Sequence, residues 1–138
     1  MNVKKGDSVP IAGKSVPIGA NQHITAGPYS PVLNVNGTQI VVISGQAAIE
    51  KSGRIIGNNI EEQTELTLRN CQKQLLSAGA SFNDVFKVNV YLNNIQHWER
   101  FNSVYVKYFS APEPVRTAVE TGLIKGLLVE IEMWATKN

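Results

Sequence analysis

From Ile60 onward the hydrophobic pattern of this chain switches repeatedly between the roughly 3.6-residue period of a helix and the two-residue period of a strand, and few folds accommodate that order. Over Ile60 to Ala78, the residues Thr64, Leu68, Cys71, Leu75 and Ala78 share one face at helical spacing. Asn58 or Asn59 is placed to cap this helix, Glu61 and Glu62 sit where the positive end of the dipole favours them, and Gly79 supplies the stop. Val85 to Leu92 then alternates as a strand, with Val88, Val90 and Leu92 on one side and Asn89 and Tyr91 on the other. Asn93-Asn94 caps a second helix over about Gln96 to Phe109, whose buried stripe is Trp98, Phe101, Tyr105 and Tyr108; Pro112 and Pro114 keep it from continuing.

Upstream, Val32 to Val35 and Gln39 to Gln46 flank Asn36-Gly37, a hairpin signal because both turn residues must take positive φ. Ser52-Gly53 marks another turn, with a short strand around Arg54 to Ile56. The order is β-β-β-α-β-α-β-β, which predicts a two-layer α+β domain: a mixed β-sheet with two helices on one face. The other sheet face still carries Val, Ile and aromatic residues, and a second copy of the chain is the cheapest cover for it. Residues 1–26 show neither period and read as an extended N-terminal arm, with "SVPI" at Ser8 to Ile11 and again at Ser15 to Ile18; residues 27–138 form the domain.

Composition excludes several classes. A chain of 138 residues with 43% hydrophobic content supports one domain with a real core. No apolar run approaches the roughly 20 residues of a membrane span, and the start, Met1 to Ser8, is not a secretory signal. The net charge of +2 comes from scattered basic residues, which argues against a nucleic-acid partner. The single cysteine, Cys71, forms no internal disulfide and fits a cytoplasmic protein. Lying on an apolar helix face, it reads as a small core residue. His23 and His97 have no second ligand at metal spacing, so no metal site is expected.

The segment 114–135 reads as two strands around a Gly-flanked loop, Gly122-Leu123-Ile124-Lys125-Gly126. Val115, Thr117 and Val119 alternate with Arg116, Ala118 and Glu120, and Val129, Ile131 and Met133 with Glu130 and Glu132. Pairing centred on Ile124 puts Ala118 opposite Glu130 and Arg116 opposite Glu132, with diagonal neighbours about 7–8 Å apart. Two readings stay open. Arg116 forms a cross-strand ion pair, or it holds a substrate carboxylate by its bidentate fork while a glutamate handles water.

A set of short pieces bears on the choice: "GPYSP" at Gly27 to Pro31, "SGQ" at Ser44 to Gln46, "IEEQT" at Ile60 to Thr64, "FNSVYVKYF" at Phe101 to Phe109, "PVRTAVE" at Pro114 to Glu120 and "VEIE" at Val129 to Glu132. In this order they resemble the RidA/YjgF family of reactive-intermediate deaminases, in older usage L-PSP endoribonucleases. The resemblance implies a chorismate-mutase-like fold, a homotrimer with active sites between subunits, no cofactor, and hydrolysis of 2-imino acids such as 2-iminopropanoate and 2-iminobutanoate, with their enamine tautomers, to 2-oxo acids and ammonia. It assigns Arg116 to the substrate carboxylate and Glu130 to the attacking water. Tyr29 would line the cleft, Ser44 and Gly45 shape its floor, Asn102 contribute from the second helix, and Ala118 offer its backbone. Ala118 stands where many active members have cysteine, and the loop Gly122 to Gly126 is a residue short and lacks the usual proline. The competing classes are RNA cleavage, which needs a basic track and stacking aromatics, and a non-catalytic trimer binding small carboxylates or proteins. A pure binder needs Arg116 but not Glu130.

Overall fold

The computed structural model describes residues 11–24 and 26–138. Its elements are β1 (Gly13–Ser15), β2 (Asn34–Asn36), β3 (Gln39–Gln46), α1 (Ile60–Ser77), β4 (Val85–Leu92), α2 (Trp98–Tyr105), β5 (Val115–Glu120) and β6 (Val129–Lys137). The four long strands make one mixed sheet in the order β3-β6-β4-β5, in which only β4 and β5 run parallel. Both helices pack on one face, giving the expected two-layer α+β domain. The core lies between, where Leu68, Cys71 and Leu75 of α1 and Phe101 and Tyr105 of α2 meet Val88, Val90, Ile131 and Met133, all fully buried. Each such aliphatic side chain contributes about 1.5–3 kcal/mol of burial.

The α1 reading holds in detail. Asn59 is the cap, its side-chain oxygen accepting from the Glu62 amide at 2.9 Å. The helix ends at Ser77, and Gly79 follows at φ 74°, a left-handed turn that glycine adopts without strain. The second helix is shorter than its aromatic spacing suggests. A 3₁₀ turn, Ile95–His97, precedes it, with Asn94 accepting from the Gln96 amide, and after Tyr105 the chain tightens as the Lys107 amide reaches Val104.

Strand neighbours differ from the sequence reading in three places. The Asn36-Gly37 hairpin does not form: β2 pairs with β1 of the arm, while the ladder of β3 is taken by β6. Asn36 has no positive φ, so the turn such a hairpin needs is absent. Instead the end of β6 crowds the bend. The Thr136 hydroxyl donates to the Asn36 carbonyl at 2.8 Å, and a Cβ on Gly37 would stand 1.9 Å from Thr136 Oγ1. The expected strand at Arg54 to Ile56 is a single bridge, Ile49 to Ile55. The arm is not wholly without strand, since it supplies β1; the first "SVPI" copy falls largely outside the described residues.

The third correction matters most. β5 and β6 are not a hairpin, because β4 lies between them. β4 is buried on its core side at Val85, Val88, Val90 and Leu92, and a strand so apolar belongs in the middle of the sheet. The connection from β5 to β6 passes over its end, where the Thr121 amide donates to Leu92 O and the Asn93 amide to Leu128 O. The pairs are therefore Arg116 with Val88, Ala118 with Val90, Glu130 with Tyr91 and Glu132 with Asn89. Neither the Ala118–Glu130 nor the Arg116–Glu132 pairing exists, and no ion pair joins Arg116 to either glutamate. Buried Gln63 fixes the connecting loop, its amide nitrogen donating to Gly126 O and its oxygen accepting from the Leu128 amide, each at 2.9 Å.

Candidate active site

The register puts Arg116 on the same sheet face as Val88, toward the helices, so the face assignment of β5 reverses: Arg116 points inward, while Thr117 and Val119 point out. Arg116 is only 8% exposed. Its guanidinium carbon lies 4.7 Å from the Tyr105 ring centre, 5.1 Å from Trp98, 5.2 Å from Tyr29 and 5.6 Å from Phe101. Residues 98, 101 and 105 reach it together because they share one face of α2. Asn102 is three and four residues from Tyr105 and Trp98 on the same helix.

This cation has no carboxylate partner among the described residues. None of Nε, Nη1 and Nη2 makes a well-aligned hydrogen bond, the Tyr105 hydroxyl being the nearest group to act on the guanidinium, and Asn102 Oδ1 is likewise buried without a partner. Burial pushes the guanidinium below its ordinary pKa, opposed in part by Tyr105 and Tyr29, and burial pushes the Tyr105 hydroxyl up. A buried charge ringed by π faces but lacking an acceptor is costly unless something supplies one.

Tyr29 is held over Arg116 by its own loop. The Ser30 hydroxyl donates to the Glu113 carbonyl, and the Ser30 amide to Pro114 O at 3.2 Å, tying "GPYSP" to the residues that lead into β5. Gly27 lets the loop close. A Cβ there would meet Tyr29 Cε1 at 2.9 Å, Arg116 Nη2 at 3.1 Å and Trp98 Cζ2 at 3.3 Å.

A second cluster forms on the opposite face of the sheet. Between Ile43 and Gln46 the β3–β6 register slips, and this bulge carries Ser44 and Gly45. A Cβ on Gly45 would stand 3.0 Å from Glu130 Cδ and 3.1 Å from its Oε2, so the glycine leaves space for that carboxylate. Glu132, two residues on, is already engaged: its Oε1 accepts from the Tyr91 hydroxyl at 2.6 Å and from Asn89 at 3.0 Å, and that bond pushes the Tyr91 pKa up. Glu132 pairs with these two, not with Arg116.

The expected site residues thus sort into two half-sites within one chain. Arg116, Tyr29, Ala118 and Asn102 belong to the helix side; Ser44, Gly45 and Glu130 belong to the outer side. Sequence reasoning assigned Trp98, Phe101 and Tyr105 to the core alone, and did not single out Gly27. The signal available was an arginine in phase with Ala118 on a strand whose neighbour buries Val85, Val88, Val90 and Leu92.

Comparison with known proteins finds relatives over most of the chain. A family model described as Endoribonuclease L-PSP matches residues 20–137. A RutC family protein of Pyrococcus abyssi is 40% identical over 81% of this chain and 88% of its own. The chloroplastic Reactive Intermediate Deaminase A of Arabidopsis thaliana is 32% identical over 80% of this chain and 59% of its own. A crystal structure of a Rid-family protein of unknown function, YyfA of Yersinia pestis, superposes with a TM-score of 0.67 at 37% identity, covering 90% of this chain and 99% of that one.

Proposed function

This chain belongs to the L-PSP endoribonuclease family, and on that premise we propose that it is a hydrolytic deaminase of 2-imino acids and their enamine tautomers, such as 2-iminopropanoate and 2-iminobutanoate, acting as a homotrimer in the cytoplasm. The observation that carries the reading is Arg116: a guanidinium 8% exposed, with no nitrogen in a well-aligned hydrogen bond, asks for a substrate carboxylate. The two half-sites support an assembly in which copies share sites. Arg116 and Glu130 face opposite sides of one sheet, and in the proposed homotrimer one copy's arginine would meet a neighbour's glutamate. Ile40 and Val42, 67% and 60% exposed on the uncovered face, supply apolar surface for that contact.

The chemistry asks little of the protein. Arg116 binds the carboxylate and orients the C=N bond. Glu130 takes a proton from water as its oxygen attacks C2. Glu130 returns that proton to the nitrogen of the carbinolamine and accepts the hydroxyl proton as the C–N bond breaks, the C=O forms and ammonia leaves. The balance is imino acid plus water to oxo acid plus ammonia, and it needs no cofactor. RNA cleavage has less support, because the rings on which bases would stack are turned onto Arg116.

The test is a coupled assay in which threonine dehydratase generates the imine in place and 2-oxobutanoate release is followed. Acceleration by the wild type and none by Arg116→Ala supports the proposal. No acceleration by the wild type overturns it, and binding of 2-oxobutanoate without acceleration identifies a binder instead.

A further inference from the structure

On the outer face of the sheet Glu130 stands between two neighbours. On one side is Gly45 of the β3 bulge, where a Cβ would lie 3.0 Å from the Glu130 carboxyl carbon. On the other is Tyr91 of β4, its partner in the β4–β6 register. Directly opposed residues have Cβ atoms about 4.5–5.5 Å apart, so the Tyr91 side chain lies alongside Glu130. Its hydroxyl nevertheless donates elsewhere. It runs diagonally to Glu132 Oε1 at 2.6 Å, the length of a charge-assisted bond, and Asn89 Nδ2 donates to the same oxygen at 3.0 Å. Two glutamates two residues apart on one strand face are thus treated unequally: Glu132 takes both donors, and the Glu130 carboxylate accepts no hydrogen bond among the described residues.

On the reading that Glu130 handles the attacking water, we propose that Glu132 is its positioning residue: by holding the Tyr91 hydroxyl, Glu132 keeps that donor off Glu130, which stays free to accept from water. A hydroxyl bound to a carboxylate stabilises the charged form and makes it a weaker base. Without Glu132 the Tyr91 hydroxyl has Glu130 directly across from it. Asn89, opposite Glu132 in the register, holds Oε1 where the hydroxyl meets it.

The other groups on this face do not take over that task. Lys87 of β4 lies over the Trp134 ring, 5.9 Å from its centre. Ser44, Gly45 and Gln46 of β3 carry no charge, and neither do Thr117 and Val119 of β5. In the proposed assembly a neighbouring copy's Arg116 is brought toward Glu130.

The experiment compares wild type, Glu132→Gln, Glu132→Ala and Tyr91→Phe/Glu132→Ala in the coupled assay between pH 6 and 9. Glutamine still offers the Tyr91 hydroxyl an acceptor and keeps most of the rate. Alanine offers none, and kcat should fall about tenfold with KM little changed. Removing the hydroxyl in the same background should recover most of that loss. The charge of Glu132 is absent from both alanine variants, so the difference between them isolates the hydroxyl. A second readout needs no turnover. With carbon-13-labelled glutamate, the Glu130 carboxyl resonance, assigned by its loss in Glu130→Gln, should titrate at lower pH in Glu132→Ala than in the double variant. Full rate in Glu132→Ala, no recovery in the double variant, or coincident titrations in the two overturns the proposal. A wild type that does not accelerate imine hydrolysis overturns the deaminase reading alone, and the two titrations then decide the role of Glu132.

Discussion

Replacing Arg116 with methionine should stabilise the protein while abolishing its reaction. In the folded chain the guanidinium makes no well-aligned hydrogen bond and Arg116 keeps 8% of its surface in water, so most of its desolvation penalty is uncompensated. That penalty is several kcal/mol for a buried ion. The four rings at 4.7 to 5.6 Å share one cation and together return about 0.5–2 kcal/mol. Methionine keeps the length, drops the charge, and makes sulfur–aromatic contacts of about 0.3–1.5 kcal/mol with the same rings. The balance favours methionine by roughly 1–2 kcal/mol, an upward shift of about 3–10 °C in apparent melting midpoint. Catalysis moves the other way. Two charge-assisted hydrogen bonds to the substrate carboxylate, at about 1.5–3 kcal/mol each, amount to a loss of roughly 10²- to 10⁴-fold in kcat/KM. Differential scanning fluorimetry and the threonine dehydratase-coupled assay read the two effects on one preparation. A variant that melts several degrees below the wild type would show that Arg116 serves the fold, and one that keeps its rate would show that it does not hold the substrate.

Four further outcomes follow from the same geometry. Glu130→Gln should lower kcat by about 10²–10⁴-fold with little change in KM, whereas Glu132→Gln, which weakens the bonds from Tyr91 and Asn89, should lower the melting midpoint by a few degrees and leave most of the rate; steady-state kinetics with melting curves separates them. Mixing and co-refolding inactive Arg116→Met and Glu130→Gln chains should restore part of the activity, since some sites then receive both groups from different copies; no recovery would refute the two-copy site. Gly45→Ala, whose Cβ would stand 3.0 Å from the Glu130 carboxyl carbon, should cost about tenfold in kcat with secondary structure intact by circular dichroism. Lys14 has a folded pKa of about 8 below the ordinary 10.5, so between those values the unfolded chain binds more protons and stability rises with pH; the urea midpoint should climb from pH 8 to 10 in the wild type and less so in Lys14→Met.

What the sequence made legible was local. The cap at Asn59, the buried face of α1 and the limits of β4 are written in hydrophobic period and terminal chemistry, and the structure reproduces them. Strand neighbours are not written there. Period says which residues share a face, but not which strand lies alongside, so 115–120 and 129–137 read as a hairpin although β4 separates them. The inward turn of Arg116 was hidden for a related reason. An arginine scores as polar until Tyr29 and the α2 rings, distant in sequence, are folded over it. The motifs named Tyr29, Ser44, Gly45, Asn102, Arg116 and Glu130 together; only the register showed that they fall on two faces.

The place of β6 has a consequence for how the protein is made. It follows β3, β4 and β5 in sequence, and it pairs with both β3 and β4, so it joins the two segments on which the sheet depends. Until residues 129–137 have emerged from the ribosome, β3 has no ladder partner in the long-strand sheet and the apolar side of β4 is covered only in part. Until then the growing chain carries exposed strand edges, a state prone to pairing with other chains. The sheet closes only once β6 is free to pair, and the loss of that one strand removes the link between β3 and β4.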